Sequence, residues 1–220
     1  MNCPAPVLQA NNLGRQIESS WMWKGLSFSF YPGDRVGVVG PSGSGKTLLL
    51  RVISGLDDAQ EGNLSFQGKA LRHWQMPEYR SQVIFLPQRP ALLEGTVEMN
   101  LQYVYRFSIY QDQTYQREQI LHYLSLLGRE ADFLKRKDTE LSGGESQIVA
   151  FLRALQLSPI VLLFDEPTAS LDEDAAKNLE TLVHSWQQQQ SRSLYLWTTH
   201  DQAQLKRMTD QQIHIWKKAS

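Results

Sequence analysis

The run Gly40-Pro41-Ser42-Gly43-Ser44-Gly45-Lys46-Thr47 constrains the fold of this chain more than any other feature. It has the form G-x-x-x-x-G-K-[ST], a loop whose glycines let backbone N–H groups close around phosphate oxygens. Such a loop needs a buried strand before it and a helix after it. Both are predicted here. Arg35-Val36-Gly37-Val38-Val39 reads as a strand, and Leu48-Leu49-Leu50-Arg51-Val52-Ile53 as the start of a helix. The helix N-terminus adds a partial positive charge. In this motif Lys46 reaches the β- and γ-phosphates and Thr47 ligates Mg²⁺. A chance glycine-rich turn would lack the strand and the helix.

The rest of the chain supplies an α/β frame. Leu26, Phe28 and Phe30 alternate with Ser27 and Ser29, as in a half-buried strand. Ser81–Pro87 reads as another strand. Two compact apolar runs, Ile160–Phe164 and Leu194–Trp197, suit a parallel sheet covered on both faces. Helix spacing appears over Glu118–Leu127, Ile148–Leu157 and Ala175–Gln190. The run Gln187–Gln190 reads as a solvated helix end. The expected organisation is one domain over 1–220. Residues 1–88 and 158–220 form an α/β core with an N-terminal antiparallel β flank, and 89–157 form an inserted helical subdomain.

Composition narrows the function classes. Lys and Arg number 22 against 23 Asp and Glu. This balance lacks the basic excess of a dedicated nucleic-acid binder, so no nucleic-acid partner is expected. No apolar run approaches the roughly 18 residues that a membrane span needs. The segment Met1-Asn2-Cys3-Pro4-Ala5-Pro6 has neither the basic start nor the apolar stretch of a signal peptide. Cys3 is the lone cysteine, so neither an internal disulfide nor a thiolate metal cluster is expected. A lipid anchor at Cys3 would need a preceding apolar segment that is missing. A cytosolic protein follows, with any membrane contact made through a partner.

Two more clusters carry chemistry. Ile160–Phe164 delivers Asp165 and Glu166 at the C-terminal end of a strand, where ligands of open parallel sheets gather. Asp165 can join an Mg²⁺ shell. Glu166 can orient an attacking water and take its proton. An acidic pair after a strand is usually a surface turn, and it is the phosphate loop that gives this one its functional reading. Leu141-Ser142-Gly143-Gly144-Glu145 precedes a helix, and its adjacent glycines expose N–H groups to an anion.

With that pentapeptide the chain resembles the nucleotide-binding subunit of an ATP-binding-cassette (ABC) transporter, with a P-loop NTPase core. The motifs stand in the family's order. Gly40–Thr47 is Walker A, Gln88 in Leu86-Pro87-Gln88 the Q-loop, Leu141–Glu145 the signature, and Ile160–Asp165 Walker B. Glu166 follows. Asp172 in Ser170-Leu171-Asp172 matches the D-loop, and His200 in Thr198-Thr199-His200-Asp201 the switch histidine.

The resemblance implies an ATPase built from two subunits facing head to tail, with ATP between them. One subunit would bind ATP through Gly40, Pro41, Ser42, Gly43, Ser44, Gly45, Lys46, Thr47 and Leu48. The other would contribute Ser142, Gly143, Gly144 and Glu145. Thr47, Gln88 and Asp165 would attend Mg²⁺. Glu166, His200, Lys46 and Gln88 would serve catalysis. A separate transmembrane permease subunit is implied, docking near Leu92, Leu93, Tyr103, Tyr105 and Phe107, and it would hold the protein at the inner face of the plasma membrane.

Three positions depart from the family pattern. Ile17 stands where an aromatic residue usually stacks on adenine, Leu48 replaces a hydroxyl residue, and Ile148 replaces an arginine. Trp21 and Trp23 lie close to Ile17 but out of register, and they read as core. Tyr79–Val83 and the stretch Leu86–Val97 are similar to small bacterial subunits of the iron-export and metal-stress type. Phosphate-import and lipoprotein-release ATPases share much of that pattern. The alternative is a soluble ABC-type ATPase acting on ribosomes or DNA. Those proteins usually carry a second cassette, or a coiled coil or zinc module between Q-loop and signature. The stretch from Gln88 to Leu141 has no heptads and no cysteine.

Overall fold

The computed structural model describes residues 5–190 and 192–216. Cys3, and the expectations attached to it, lie outside the described residues. In chain order the elements are β1 (Leu8–Ile17), β2 (Ser20–Phe30), β3 (Arg35–Val39), α1 (Lys46–Ile53), β4 (Glu61–Phe66), β5 (Lys69–Ala70), α2 (Met76–Gln82) and β6 (Val83–Leu86). They continue with α3 (Val97–Gln102), α4 (Arg117–Leu126), α5 (Gly143–Leu155), β7 (Val161–Asp165), α6 (Glu173–Gln189), β8 (Leu194–Thr198), α7 (Gln202–Met208) and β9 (Gln211–His214).

The chain divides into two compact units. The first comprises 1–85, 160–165 and 191–220, and the second 86–159 and 166–190. Residues 166–190, assigned to the core from sequence, group with the helical segment. The reason lies in local packing. A side chain at Gly144 would meet the Ser170 carbonyl and Leu171, and α4 contacts α6.

The first unit holds two sheets. One has the order β2-β1-β4-β5, and its pairings β1–β2, β1–β4 and β4–β5 are antiparallel, as expected for the flank. The other has the order β6-β7-β8-β3-β9, with β7–β8, β8–β3 and β3–β9 parallel. Every residue from Val161 to Phe164 and from Leu194 to Trp197 is fully buried. This is why both runs are continuously apolar: a central parallel strand has no solvent face. Phe164 and Trp197 pack with ring centroids 4.9 Å apart. The Tyr195 hydroxyl donates to the Met208 carbonyl, which satisfies a polar group inside this core.

Local boundaries differ from expectation where short elements intervene. The phosphate-loop helix begins at Lys46, two residues before its apolar run, because Gly45 at φ 94° turns the chain into it. The expected strand Ser81–Pro87 is instead the end of α2 followed by β6. Only Tyr79 is buried on α2, too little for a 3.6-residue pattern to emerge.

In the second unit, α5 buries Ile148, Val149, Phe151, Leu152 and Leu155, while α6 buries Leu179, Leu182, Val183 and Trp186. Ser142 caps α5 and Asp172 caps α6, each side chain accepting from a first-turn N–H. Ile148, the departure from the family arginine, is a core residue at 1% exposure.

Replacing Trp197 with Ala should destabilise the protein by about 3–5 kcal/mol through lost burial and a residual cavity. Urea unfolding followed by circular dichroism measures this, and a loss under about 1 kcal/mol would mean that the β7–β8 packing is not the core of the first unit.

Candidate functional site

The loop 40–45 leaves β3 and enters α1, and its shape rests on close approaches. A Cβ on Gly40 would lie 2.2 Å from the Ile215 carbonyl oxygen and 2.7 Å from Ser44 Oγ, so no side chain fits there. A Cβ on Gly45 would lie 2.9 Å from Nε1 of Trp23 and 3.5 Å from Cε of Met22. Trp23 is buried, as read from sequence, and its indole N–H has no hydrogen-bond partner among the described residues. The ring of Trp21 covers Gly14 instead.

Lys46 is 9% exposed and donates to the carbonyls of Gly40 at 2.9 Å and Pro41 at 3.1 Å. The ammonium is thereby held inside the curl of the loop. Ser44 Oγ is buried with no partner among the described residues, a further polar atom inside the same curl. Pro41, Ser42, Gly43 and Thr47 are exposed, while the Leu48 side chain packs against the core.

Asp165 ends β7 at 7% exposure. Its Oδ1 accepts from the Thr47 hydroxyl at 3.1 Å and from the Thr198 hydroxyl at 3.1 Å. Thr198 ends β8 and was not singled out from the sequence. The signal that could have found it is position: it closes a buried strand paired with β7. The Thr47 hydroxyl and the Asp165 carboxylate, joined by a hydrogen bond, offer hard oxygen donors, and Mg²⁺ takes one or two such protein ligands together with substrate phosphates and water. The residues present therefore fit that ion. Among the described residues no cluster of three or more His, Cys, Asp or Glu could hold a metal by itself. His200 is exposed, two residues beyond β8, and Asp201 then caps α7 by accepting from Ala203 and Gln204 N–H.

The second unit gathers the remaining candidates. Gln88 Nε2 donates to Glu166 Oε2 at 3.1 Å. Glu166 has φ 48°, a left-handed conformation uncommon outside glycine. Gly144 is buried, and its close approach to the Ser170 carbonyl (2.6 Å from a Cβ) joins the signature turn to the loop before Asp172. Asp172 is committed to its cap, accepting from Ala175 N–H at 2.8 Å.

Ser142 and Glu145 form a reciprocal capping box. Ser142 Oγ accepts from Glu145 N–H at 3.2 Å, and Glu145 Oε2 accepts from Ser142 N–H at 3.0 Å. Because Ser142 Oγ acts as acceptor, its own O–H can still donate to an anion. Glu145 is pulled in two directions. Burial opposes its charge, but the bonds from Ser142 and Arg136 outweigh that and hold its pKa below the ordinary glutamate value.

Ile17 is 48% exposed at the end of β1, paired with Ser20 across a tight hairpin. The side chains nearest Gly45 are Trp23 and Met22.

No helix among the described residues is long and apolar enough to cross a membrane. Residues 23–169 match the family model described as ABC transporter. The chain is 32% identical to the Probable iron export ATP-binding protein FetA of Escherichia coli K12 over 201 residues, covering 91% of this chain and 88% of that protein. It is 30% identical to the Tungstate uptake system ATP-binding protein TupC of Peptoclostridium acidaminophilum, covering 94% of each. A solved dimeric ATP-binding cassette, bound to ADP and Pi in a post-hydrolysis state, superposes with a TM-score of 0.80 at 24% identity. That match covers 95% of this chain and 94% of the other and speaks for the fold. With a phosphate loop, a capped turn at Ser142 and a strand-end carboxylate at Asp165 in this order, the chain belongs to the ABC transporter family and is an ATP-binding, ATP-hydrolysing subunit.

Proposed function

We propose that two copies of this chain close head to tail on two ATP molecules and drive a separate membrane permease. The observation that supports an ATP site most directly is the Thr47–Asp165–Thr198 oxygen cluster beside the Lys46-filled loop. Lys46 would leave the Gly40 and Pro41 carbonyls for the β- and γ-phosphates, a stronger charge-assisted partner. Backbone N–H groups of Gly43, Ser44, Gly45, Lys46, Thr47 and Leu48 would face the phosphate oxygens, with Pro41 and Ser42 shaping the turn. Thr47 and Asp165, with Gln88 nearby in role, would hold Mg²⁺. Bound there, the ion neutralises charge on the β- and γ-oxygens.

Glu166 takes the proton of the attacking water. Gln88, hydrogen-bonded to its carboxylate, keeps that carboxylate oriented. His200 donates to the γ-phosphate, and Asp172 holds the loop that follows Glu166. From the partner copy, the Ser142 hydroxyl and the Gly143 and Gly144 N–H groups close over the γ-phosphate. Glu145 holds Ser142 in place. Loss of that phosphate removes the contact and opens the pair. Ile17 offers adenine an apolar surface without an aromatic ring.

The permease would dock on the second unit, where Leu93, Met99, Tyr103 and Phe107 are exposed. Such docking places the protein at the inner face of the plasma membrane. Iron or another metal, exported, is the cargo favoured by the likeness to FetA. The likeness to TupC, named for tungstate uptake, keeps import open as a test outcome. The ribosome- or DNA-acting alternative is not favoured by either relative.

Glu166→Gln should retain ATP binding and lose turnover by at least about 100-fold, leaving an ATP-bound dimer on size exclusion. Turnover near wild type would remove Glu166 as the base. Ser142→Arg should abolish hydrolysis although Walker A is intact. Mixed dimers carrying Ser142→Arg in one copy should lose the site it serves, and full activity in them would refute the shared site. Gly144→Ala should lower turnover by roughly tenfold or more, since the methyl must displace the Ser170 carbonyl. An unaffected rate would show that the turn has room to give.

A further inference from the structure

Glu145 poses an electrostatic problem. It is the third residue of α5, whose N-terminus is proposed to meet the partner's γ-phosphate. A carboxylate in that first turn favours the helix itself, but it opposes an incoming triphosphate. Its side chain is 13% exposed, and its Oε2 is tied to Ser142 N–H. The remaining oxygen, Oε1, meets two arginines. Nη1 of Arg136 donates at 2.5 Å, and Nη1 of Arg129 lies at 3.4 Å.

Neither arginine belongs to a motif. Both are positioned by Phe133, which is buried, with each guanidinium 5.8 Å from the ring centroid. Arg136 also donates to the Glu140 carbonyl, one residue before the signature. The arginine side chains are 35% and 36% exposed, so they are the outer members of the cluster. Two guanidiniums against one carboxylate leave a net positive charge.

We propose that Arg136, assisted by Arg129, is a positioning residue for ATP hydrolysis: it cancels the Glu145 charge and pins that carboxylate in its bond to Ser142, so that the signature turn presents no net negative charge to the partner's triphosphate. Glu145 stays ionised at working pH, so compensation comes from the arginines and not from protonation. This rests on the shared-site reading above.

The test compares ATP turnover of the full chain as R136Q, R136K and the double variant R136Q/E145Q, with thermal melts alongside. R136Q takes one positive charge from the cluster and leaves the more distant Arg129 as Glu145's only guanidinium among the described residues; a one-unit change within a Debye length of the phosphates should raise the ATP concentration for half-maximal turnover roughly tenfold. R136K keeps the charge but not the guanidinium's two-acceptor fork or its place over Phe133, so it should recover part of the R136Q loss. Adding E145Q to R136Q should recover most of the loss, because glutamine retains the capping box without the charge. Three results would overturn the proposal: R136Q indistinguishable from wild type, R136K as impaired as R136Q, or no rescue by E145Q. Should R136Q fail to fold, R129Q and R129Q/E145Q make the same comparison. Failure of the shared site is seen separately, as a Ser142→Arg variant that still turns over. Failure of the charge role leaves Ser142→Arg inactive and the rescue absent.

Discussion

The first unit is organised around one steric fact: no atom beyond hydrogen can stand on the Cα of Gly40. The Ile215 carbonyl occupies that space, and Ile215 N–H donates to the Val39 carbonyl at 2.8 Å. The edge strand β9 therefore closes against the base of the phosphate loop. The neighbouring order β7-β8-β3, all parallel, then brings three strand ends to one sheet edge. Asp165, Thr198 and Gly40 arrive there together, and His200 follows two residues later. A parallel sheet places its strand C-termini on one side by construction, and that is where phosphate, metal and catalytic oxygens can converge.

The second unit solves a different problem, holding an irregular segment against a helix. Three polar side chains of the α5 region reach backbone carbonyls of the Q-loop and its continuation. Gln147 Nε2 donates to Pro87, Arg153 Nη2 to Ala91, and Gln156 Nε2 to Leu101. Gln147 is 2% exposed and Gln156 7%. Buried amides are costly unless bonded; the Nε2 groups of Gln147 and Gln156 are bonded, to the Pro87 carbonyl and to the Leu101 carbonyl in the last turn of α3, while their Oε1 atoms are buried with no partner among the described residues. The signature helix and the residue before Gln88 are thus joined by a side chain. Desolvation lowers the Arg153 pKa, a measure of how far this guanidinium has been drawn in.

Much of this was legible in the residues alone. The phosphate loop is a local pattern set between a strand and a helix, so it stands out alone; the acidic pair at Asp165, the turn at Ser142 and His200 are short, and they gain their reading from their order along the chain after it. The central strands were equally legible, because continuous burial leaves a continuous apolar run. Short elements were not. The helices α2, α3 and α7 span one to two turns, too few for periodicity to stand out from noise. The grouping of 166–190 with the helical segment was also hidden, since it depends on Gly144 meeting Ser170 across the fold.

By itself the sequence determined the fold family and the candidates: which residues have the type and spacing to meet a phosphate, a metal or a water, and in what chain order. These are properties of residue type and close spacing, which survive in one dimension. Tertiary structure decided the pairings. It brought Thr198 to Asp165, turned Trp23 rather than Ile17 toward Gly45, and set Arg129 and Arg136 on Glu145. Each of these joins residues from different elements. A hydrogen bond or ion pair depends on distances of about 3 Å, and only strand register and helix packing set distances that small.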